Sequence, residues 1–192
     1  MTRPLTAHLF ASLDLVVEAP DTWHFPYVGG ELLATVAREY DTATTLLLGR
    51  TTYDIFASSW PRRGNDVPLA ERLNGMEKVV LSDSLPVANW HNTRVMSSHG
   101  DAVEAIRGLR HGDGGRITIA GSIGLVEALL AAGELDELLL FVHPVVVGAG
   151  RRLFDDWKAG PIPLSLASTR TIEHGVQLLS FATPARRTTP HE

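Results

Sequence analysis

The stretch from Gly115 to Leu130, GRITIAGSIGLVEALL, restricts the possible folds of this chain more than any other. Arg116 to Ala120 reads as a strand, because Ile117 and Ile119 are β-branched and Thr118 also suits a pleated surface. Gly121-Ser122-Ile123-Gly124 then reverses the chain at once. From Leu125 the apolar residues take helical spacing at Leu125, Val126, Leu129 and Leu130, and Gly133 stands where a helix commonly ends in a left-handed residue. A strand, a tight turn and a helix N-terminus so close together leave backbone N–H groups unpaired at the positive end of a helix dipole. Glycines without Cβ let an anion approach that backbone. The pattern fits a phosphate or pyrophosphate, and equally an ordinary α/β reversal in which glycine serves only the turn.

Composition narrows the class. With 192 residues, 44% hydrophobic and 20% charged, the chain is long enough for one domain with a real core. We expect that domain over residues 1–184, followed by a polar tail over 185–192. A net charge of −5 without a block of Lys and Arg argues against binding nucleic acid or an anionic membrane. The absence of cysteine excludes disulfides and thiolate chemistry. The apolar run near the N-terminus is broken by His8, Ser12 and Asp14, a poor signal peptide, so a cytoplasmic location is expected.

In chain order, Leu5 to Leu13 reads as a central strand, and Asp14 to Gly30 as a loop bearing Trp23, Phe25 and Tyr27. Those aromatics fit either a lid over a ligand or surface packing. Glu31 to Tyr40 is helical, with Leu32, Leu33, Val36 and Ala37 on one face. Thr45 to Leu48 is a second strand, and Gly49-Arg50-Thr51-Thr52-Tyr53 opens a short helix. A cation and hydroxyls at a helix start suit a phosphate, although Thr51 or Thr52 also suits a simple cap. Trp60 to Gly75 reads as loop, Lys78 to Leu81 and Thr93 to Met96 as strands, and Asp101 to Leu109 as a helix. Glu137 to Val147 forms a long strand interrupted by Pro144. Leu164–Thr171 and Val176–Ala182 form a hairpin around His174-Gly175. Strand–turn–helix units followed by a β-rich end imply a mixed sheet flanked by helices, with ligands at the carboxyl ends of the strands.

Two chemistries carry little weight. The eight histidines show no close ligand pair, so no metal is expected, and His143 reads as a strand-end histidine. Ser122 with Asp136 or Asp155 and then His174 follows the order of a serine hydrolase. The spacing around Ser122 departs from a nucleophile elbow, which leaves this reading last.

Several motifs together carry a resemblance. Ala11-Ser12-Leu13-Asp14, Leu48-Gly49-Arg50-Thr51-Thr52-Tyr53, Lys78 to Ser82, Ile119 to Ser122, Asp136-Glu137-Leu138 and His143 to Phe154 resemble, in order, the dihydrofolate reductase-like superfamily. Within it, the likeness is to the C-terminal reductase domain of bifunctional riboflavin biosynthesis protein and its stand-alone bacterial relatives. The resemblance implies an α/β dihydrofolate reductase-like three-layer fold, a homodimer, and an NADPH-dependent reductase of a small heterocyclic or ribosylamino-pyrimidine substrate. It assigns Gly49, Arg50, Thr51, Thr52 and Ser82 to the adenosine end. Gly121, Ser122, Ile123 and Gly124 fall to the pyrophosphate, and Ala11, Ser12 and Leu13 to the nicotinamide.

Substrate contacts are expected from Tyr53, Phe56 and Trp60, and proton delivery from Asp14 or Glu31. Leu15 stands where the family usually has glycine. Asp83 stands where many relatives have a basic residue; a carboxylate there repels a 2′-phosphate, making NADH the alternative cofactor. Dihydrofolate reductase-type activity and a nucleotide-binding dimer without turnover are the remaining alternatives.

Overall fold

In the first strand, β1 (Leu5–Ser12), Leu5, Ala7, Leu9 and Ala11 alternate with Thr6, His8, Phe10 and Ser12, and both faces are covered. A strand covered on both faces belongs in the middle of a sheet with helices on each side. The computed structural model, which describes residues 2–64 and 67–184, has that arrangement. The tail expected over 185–192 lies outside the described residues.

After β1 come α1 (Gly30–Asp41), β2 (Ala43–Gly49), α2 (Arg50–Ser59), α3 (Pro68–Gly75), β3 (Glu77–Leu81) and β4 (Thr93–Met96). Then follow α4 (Ala102–His111), β5 (Arg116–Ala120), α5 (Ile123–Ala131), β6 (Glu137–His143), β7 (Ser165–Thr171) and β8 (Gln177–Ala182). The eight strands form one sheet in the order β4-β3-β2-β5-β1-β6-β8-β7. The first six in that order are mutually parallel, and β8 runs antiparallel to both β6 and β7.

Leu5, Ala7, Leu9 and Ala11 pack with Ile106 and Leu109 of α4 and Val126, Leu129 and Leu130 of α5. On the other face, Leu46 and Leu48 pack with Leu32, Val36 and Tyr40 of α1, Tyr53 of α2 and Leu69 and Leu73 of α3. The result is three layers. Each fully buried leucine contributes about 2 kcal/mol through removal of apolar surface from water.

Three expectations need correction. The stretch read as loop contains α3: proline opens it at the position where a missing N–H costs nothing, and Leu69, Ala70 and Leu73 bury one side. Lys78 reaches back to finish that helix, its Nζ donating to the carbonyls of Leu73, Asn74 and Met76 at 2.8, 3.1 and 2.8 Å. On α1, Leu33 faces solvent, while Thr35 and Tyr40 are buried. The long strand ends at His143, because Pro144 has no N–H to continue the ladder.

Candidate active site at the carboxyl edge of the parallel strands

Parallel strands deliver their carboxyl ends to one edge. Leu81 of β3 pairs with Gly49 of β2, Ile119 of β5 with Leu47, Ala120 with His8 of β1, and Ser12 of β1 with His143 of β6. Across this edge lie, in order, Ser82, Gly49–Thr52, Gly121–Gly124, Ala11–Leu13 and His143. At the usual strand spacing they span roughly 19 Å.

The two glycine turns are fastened together. Ser122 Oγ accepts the Gly49 N–H at 2.9 Å and donates to the Ala120 carbonyl at 3.3 Å, while Thr52 Oγ1 accepts the Ser122 N–H at 3.0 Å. Gly121 has φ +58°, and a Cβ there would sit 3.2 Å from Thr52 Cγ2, so the crossing demands glycine. Among the described residues, the N–H groups of Ile123 and Gly124 at the start of α5 have no partner in the chain, and a Cβ on Gly124 would meet nothing within 4 Å. Open N–H groups at a helix start are what an anion requires.

The outer end carries charge. Arg50 is half-exposed and pairs with Asp54 at 2.7 Å. Thr51 is exposed, and Ser82 Oγ accepts the N–H groups of Ser84 and Leu85 at 3.3 and 3.1 Å. Asp83 binds the Ser97 hydroxyl at 2.6 Å, the Ser98 N–H at 2.7 Å and the Ser98 hydroxyl. These donors, the Ser97 hydroxyl foremost, hold its carboxyl down to about 2, so the negative charge is permanent.

Around β1, Ala11 and Ser12 are fully buried and Leu13 is exposed. Asp14 Oδ1 accepts the Ser12 hydroxyl at 2.7 Å and the Val147 N–H at 3.0 Å. Its Oδ2 accepts the Gly148 N–H at 2.9 Å and lies 3.4 Å from Arg152 Nη2. The Ser12 hydroxyl and then the Val147 N–H hold its carboxyl well below the usual carboxylate range. An ionised carboxylate with this many donors ties two loops together and has no proton to give. Leu15 adopts φ +62°, a left-handed conformation that glycine, the residue the family resemblance leads one to expect there, takes up without strain from a Cβ.

Glu31 is engaged elsewhere. Its Oε2 accepts the Glu173 N–H at 3.1 Å, and Glu173 Oε1 in return accepts the N–H groups of Glu31 and Leu32 at 2.6 and 3.0 Å. This reciprocal cap closes α1 against the β7–β8 turn. Tyr53, Phe56 and Trp60 lie on the α1–α3 side of the sheet. Tyr53 is buried and its hydroxyl accepts the Asn89 and Trp90 N–H groups at 2.9 and 3.3 Å, while Phe56 and Trp60 pack together in the α1–α3 layer. Phe56 and Trp60 are half-buried and border the same apolar cluster as Phe10 of β1 and Leu32 and Val36 of α1. The serine hydrolase constellation is not assembled. Asp136 Oδ2 accepts the Leu5 N–H at the opposite edge of the sheet, Asp155 accepts the Arg152 N–H, and His174 lies in the β7–β8 turn, three strand positions from β5.

Sequence reasoning missed an imidazole pair. His143 is fully buried, with Nδ1 at 2.9 Å from the Phe141 carbonyl and 3.3 Å from the Ala11 carbonyl. A carbonyl only accepts, so Nδ1 carries the proton and Nε2 the lone pair, and Nε2 has no partner among the described residues. His24 Nδ1 is also buried without a partner, the two ring centres being 6.0 Å apart. Phe10, Trp23 and Tyr27 ring His143 at 5.3, 5.3 and 5.7 Å. Burial pushes both imidazoles below their ordinary range. The sequence signals were His143 at the end of an apolar strand and a Trp-His pair in the loop after β1. Only the pairing of β1 with β6 joins them.

Comparison with known proteins decides the family. The RibD C-terminal domain family matches residues 3–178. The chain belongs to this family. Membership places it in a reductase family, a class of oxidoreductases.

Solved structures agree on its fold. A pyrimidine reductase-like protein of Corynebacterium diphtheriae superposes with TM-score 0.70 at 14% identity, covering 95% of this chain and 92% of that one. The diaminohydroxyphosphoribosylaminopyrimidine deaminase/5-amino-6-(5-phosphoribosylamino)uracil reductase of Thermotoga maritima gives 0.69 at 14% identity, covering 95% and 57%. Dihydrofolate reductase of Enterococcus faecalis, complexed with NADP(H), gives 0.63 at 16% identity, covering 95% and 99%. The RibD-type fold of this chain is therefore the dihydrofolate reductase-like three-layer α/β fold. Among the described residues no helix is long and apolar enough to cross a membrane.

Proposed function

We propose that this chain is an NADPH-dependent reductase that delivers a hydride to a small heterocyclic or ribosylamino-pyrimidine substrate, working as a cytoplasmic homodimer. The observation that carries the reading is the open Ile123 and Gly124 N–H pair, beside a turn that Ser122 and Thr52 hold rigid. That cradle fits a pyrophosphate: it offers donors and a dipole, and the free space over Gly124 leaves room for phosphate oxygens. The bound dinucleotide supplies the hydride. The chain orients it, with Ala11 to Leu13 beside the nicotinamide and Arg50 and Ser82 at the adenosine end. Arg50 leaves Asp54 to meet a 2′-phosphate, and Asp83 opposes that phosphate, which makes NADH the competing cofactor. The substrate class follows the 5-amino-6-(5-phosphoribosylamino)uracil reductase named among the structural neighbours.

The test is titration with NADPH and NADH, read by quenching of tryptophan fluorescence. Gly124→Glu puts a carboxylate in the cradle without a clash and at the favourable end of a helix dipole, so the fold persists. It is expected to weaken both dinucleotides at least tenfold, whereas Arg50→Ala weakens NADPH more than NADH. Unchanged affinity in Gly124→Glu removes the pyrophosphate assignment.

A further inference from the structure

With Asp14 ionised and saturated with donors, and Glu31 turned to the Glu173 N–H at the start of α1, neither early carboxylate is free to serve the end of β1. Yet reduction of a C=N or C=O bond needs one proton for each hydride. The two buried nitrogens without partners lie on the other side of Ser12. A buried acceptor without a hydrogen bond costs stability, and a native chain that keeps two of them side by side marks a place that something else completes. The surroundings say what fits. Phe10 stacks on His24 with centres 5.0 Å apart, and Trp23 and Tyr27 stand edge-on to His143, so aromatic rings close over the two nitrogens, and a ligand reaches them in the chamber that opens when those rings part. A planar heterocycle matches both features.

We propose that His143, through Nε2, is the catalytic residue that protonates the substrate heteroatom, and that His24 makes the second hydrogen bond to the ring held in this chamber. The inference rests on the reductase reading. The substrate carbon gains a hydride from the reduced nicotinamide, and the π-electron pair of its C=N or C=O bond moves to the heteroatom. Nε2, which carries a lone pair at rest, takes a proton from solvent as the substrate enters, and the heteroatom takes that proton from it. The products are the reduced substrate, oxidised nicotinamide and neutral imidazole. The Phe141 and Ala11 carbonyls at Nδ1 fix the ring and partly offset the burial that disfavours its charged form.

Access is through the loop. Among the described residues, the segment from Ala19 to Val28 makes its hydrogen bonds within itself and to the adjoining Glu18, apart from one of 3.4 Å from the Tyr27 hydroxyl to the Pro144 carbonyl. The flanks are anchored. Val17 N–H bonds to the Arg151 carbonyl, and Glu173 holds the start of α1. The aromatic roof therefore lifts between fixed ends without breaking any strand.

The experiment compares wild type, His143→Asn and His24→Gln. Asparagine keeps a donor near the position of Nδ1 and removes Nε2. Three quantities are read: NADPH affinity by tryptophan quenching, kcat and KM with 5-amino-6-(5-phosphoribosylamino)uracil, and the histidine side-chain nitrogen resonances as that compound is added to the NADP⁺ complex. We expect NADPH affinity within about twofold throughout, and a fall in kcat of about 100-fold or more in His143→Asn with KM nearly unchanged. In His24→Gln, KM rises. In wild type the His143 Nε2 resonance moves from its lone-pair to its protonated position.

Wild-type kcat in His143→Asn, or imidazole resonances that the pyrimidine leaves unmoved while NADPH binds, overturns the proposal. Should His143→Asn not fold, the wild-type resonances and His24→Gln decide it. Failure of wild type to bind NADPH strikes the reductase reading itself, and this inference falls with it.

Discussion

On the β3–β2–β5 side of the strand edge, Ser82, Asp83, Arg50, Thr52 and Ser122 all have partners within the chain, and among the described residues the Ile123 and Gly124 N–H groups remain open. On the β1–β6 side the loops are tied down by Asp14, but two imidazole nitrogens remain without partners beneath an aromatic roof. The first region is finished at rest and offers a rigid cradle. The second leaves buried polar atoms unsatisfied. A cofactor that binds every turnover in one pose suits a preformed site, and a substrate that must be enclosed and protonated suits an incomplete one.

The largest expected effect breaks the rigid side. Gly121→Val forces a β-branched residue to φ +58° and drives its side chain against Thr52, at a cost of about 4 kcal/mol. Chemical denaturation should show the loss, together with weaker NADPH binding.

Acid tests the other side. His8, on β1, bonds Tyr40 at 3.1 Å, and burial, with Arg116 adding to it, pushes its pKa down to about 4. Between that value and the ordinary 6.5, the unfolded chain binds a proton that the folded chain does not, so stability falls as pH drops through this window. The contribution is on the order of 3 kcal/mol. Denaturation midpoints at pH 7, 5.5 and 4.5 should decline in wild type, and less steeply in His8→Gln. The buried pair His24 and His143 acts in the same direction, while Asp83 keeps its charge down to about 2, so acid loosens the β1–β6 side first.

A smaller change sharpens the contrast by reversing sign. His24→Phe removes a buried nitrogen that has no partner and keeps the stack on Phe10, so it should raise stability by about 1 kcal/mol. A loss would mean that the chamber is already complete. The smallest effect is at Leu15, where glycine relieves a left-handed conformation but gives up buried surface and chain entropy. Leu15→Gly should shift stability by less than about 0.5 kcal/mol in thermal denaturation.

Local pattern alone determined β4 and β5 to the residue and placed the other strands within a few positions. It also marked the glycine turns at Gly49 and Gly121, because the strand period, the helix period and glycine's freedom are properties of neighbours in sequence. Where proline marked both a loop and a helix start, as at Pro68, local pattern could not choose; burial of Leu69 and Leu73 did. The motif resemblance carried the family and the row of turns. Tyr53, Phe56 and Trp60 border a cluster shared with α1 and α3, and α3 was not recognised in the sequence, so only the fold shows that Tyr53 is buried while Phe56 and Trp60 stay half-exposed.

Asp14 and Glu31 read as free acids because their partners, Val147, Gly148 and Glu173, are more than a hundred residues away. The His24–His143 pair was invisible for the same reason. A hydrogen-bond balance can be drawn up only once β1 and β6 lie side by side, so which polar groups are satisfied and which are left open is a property of the tertiary structure.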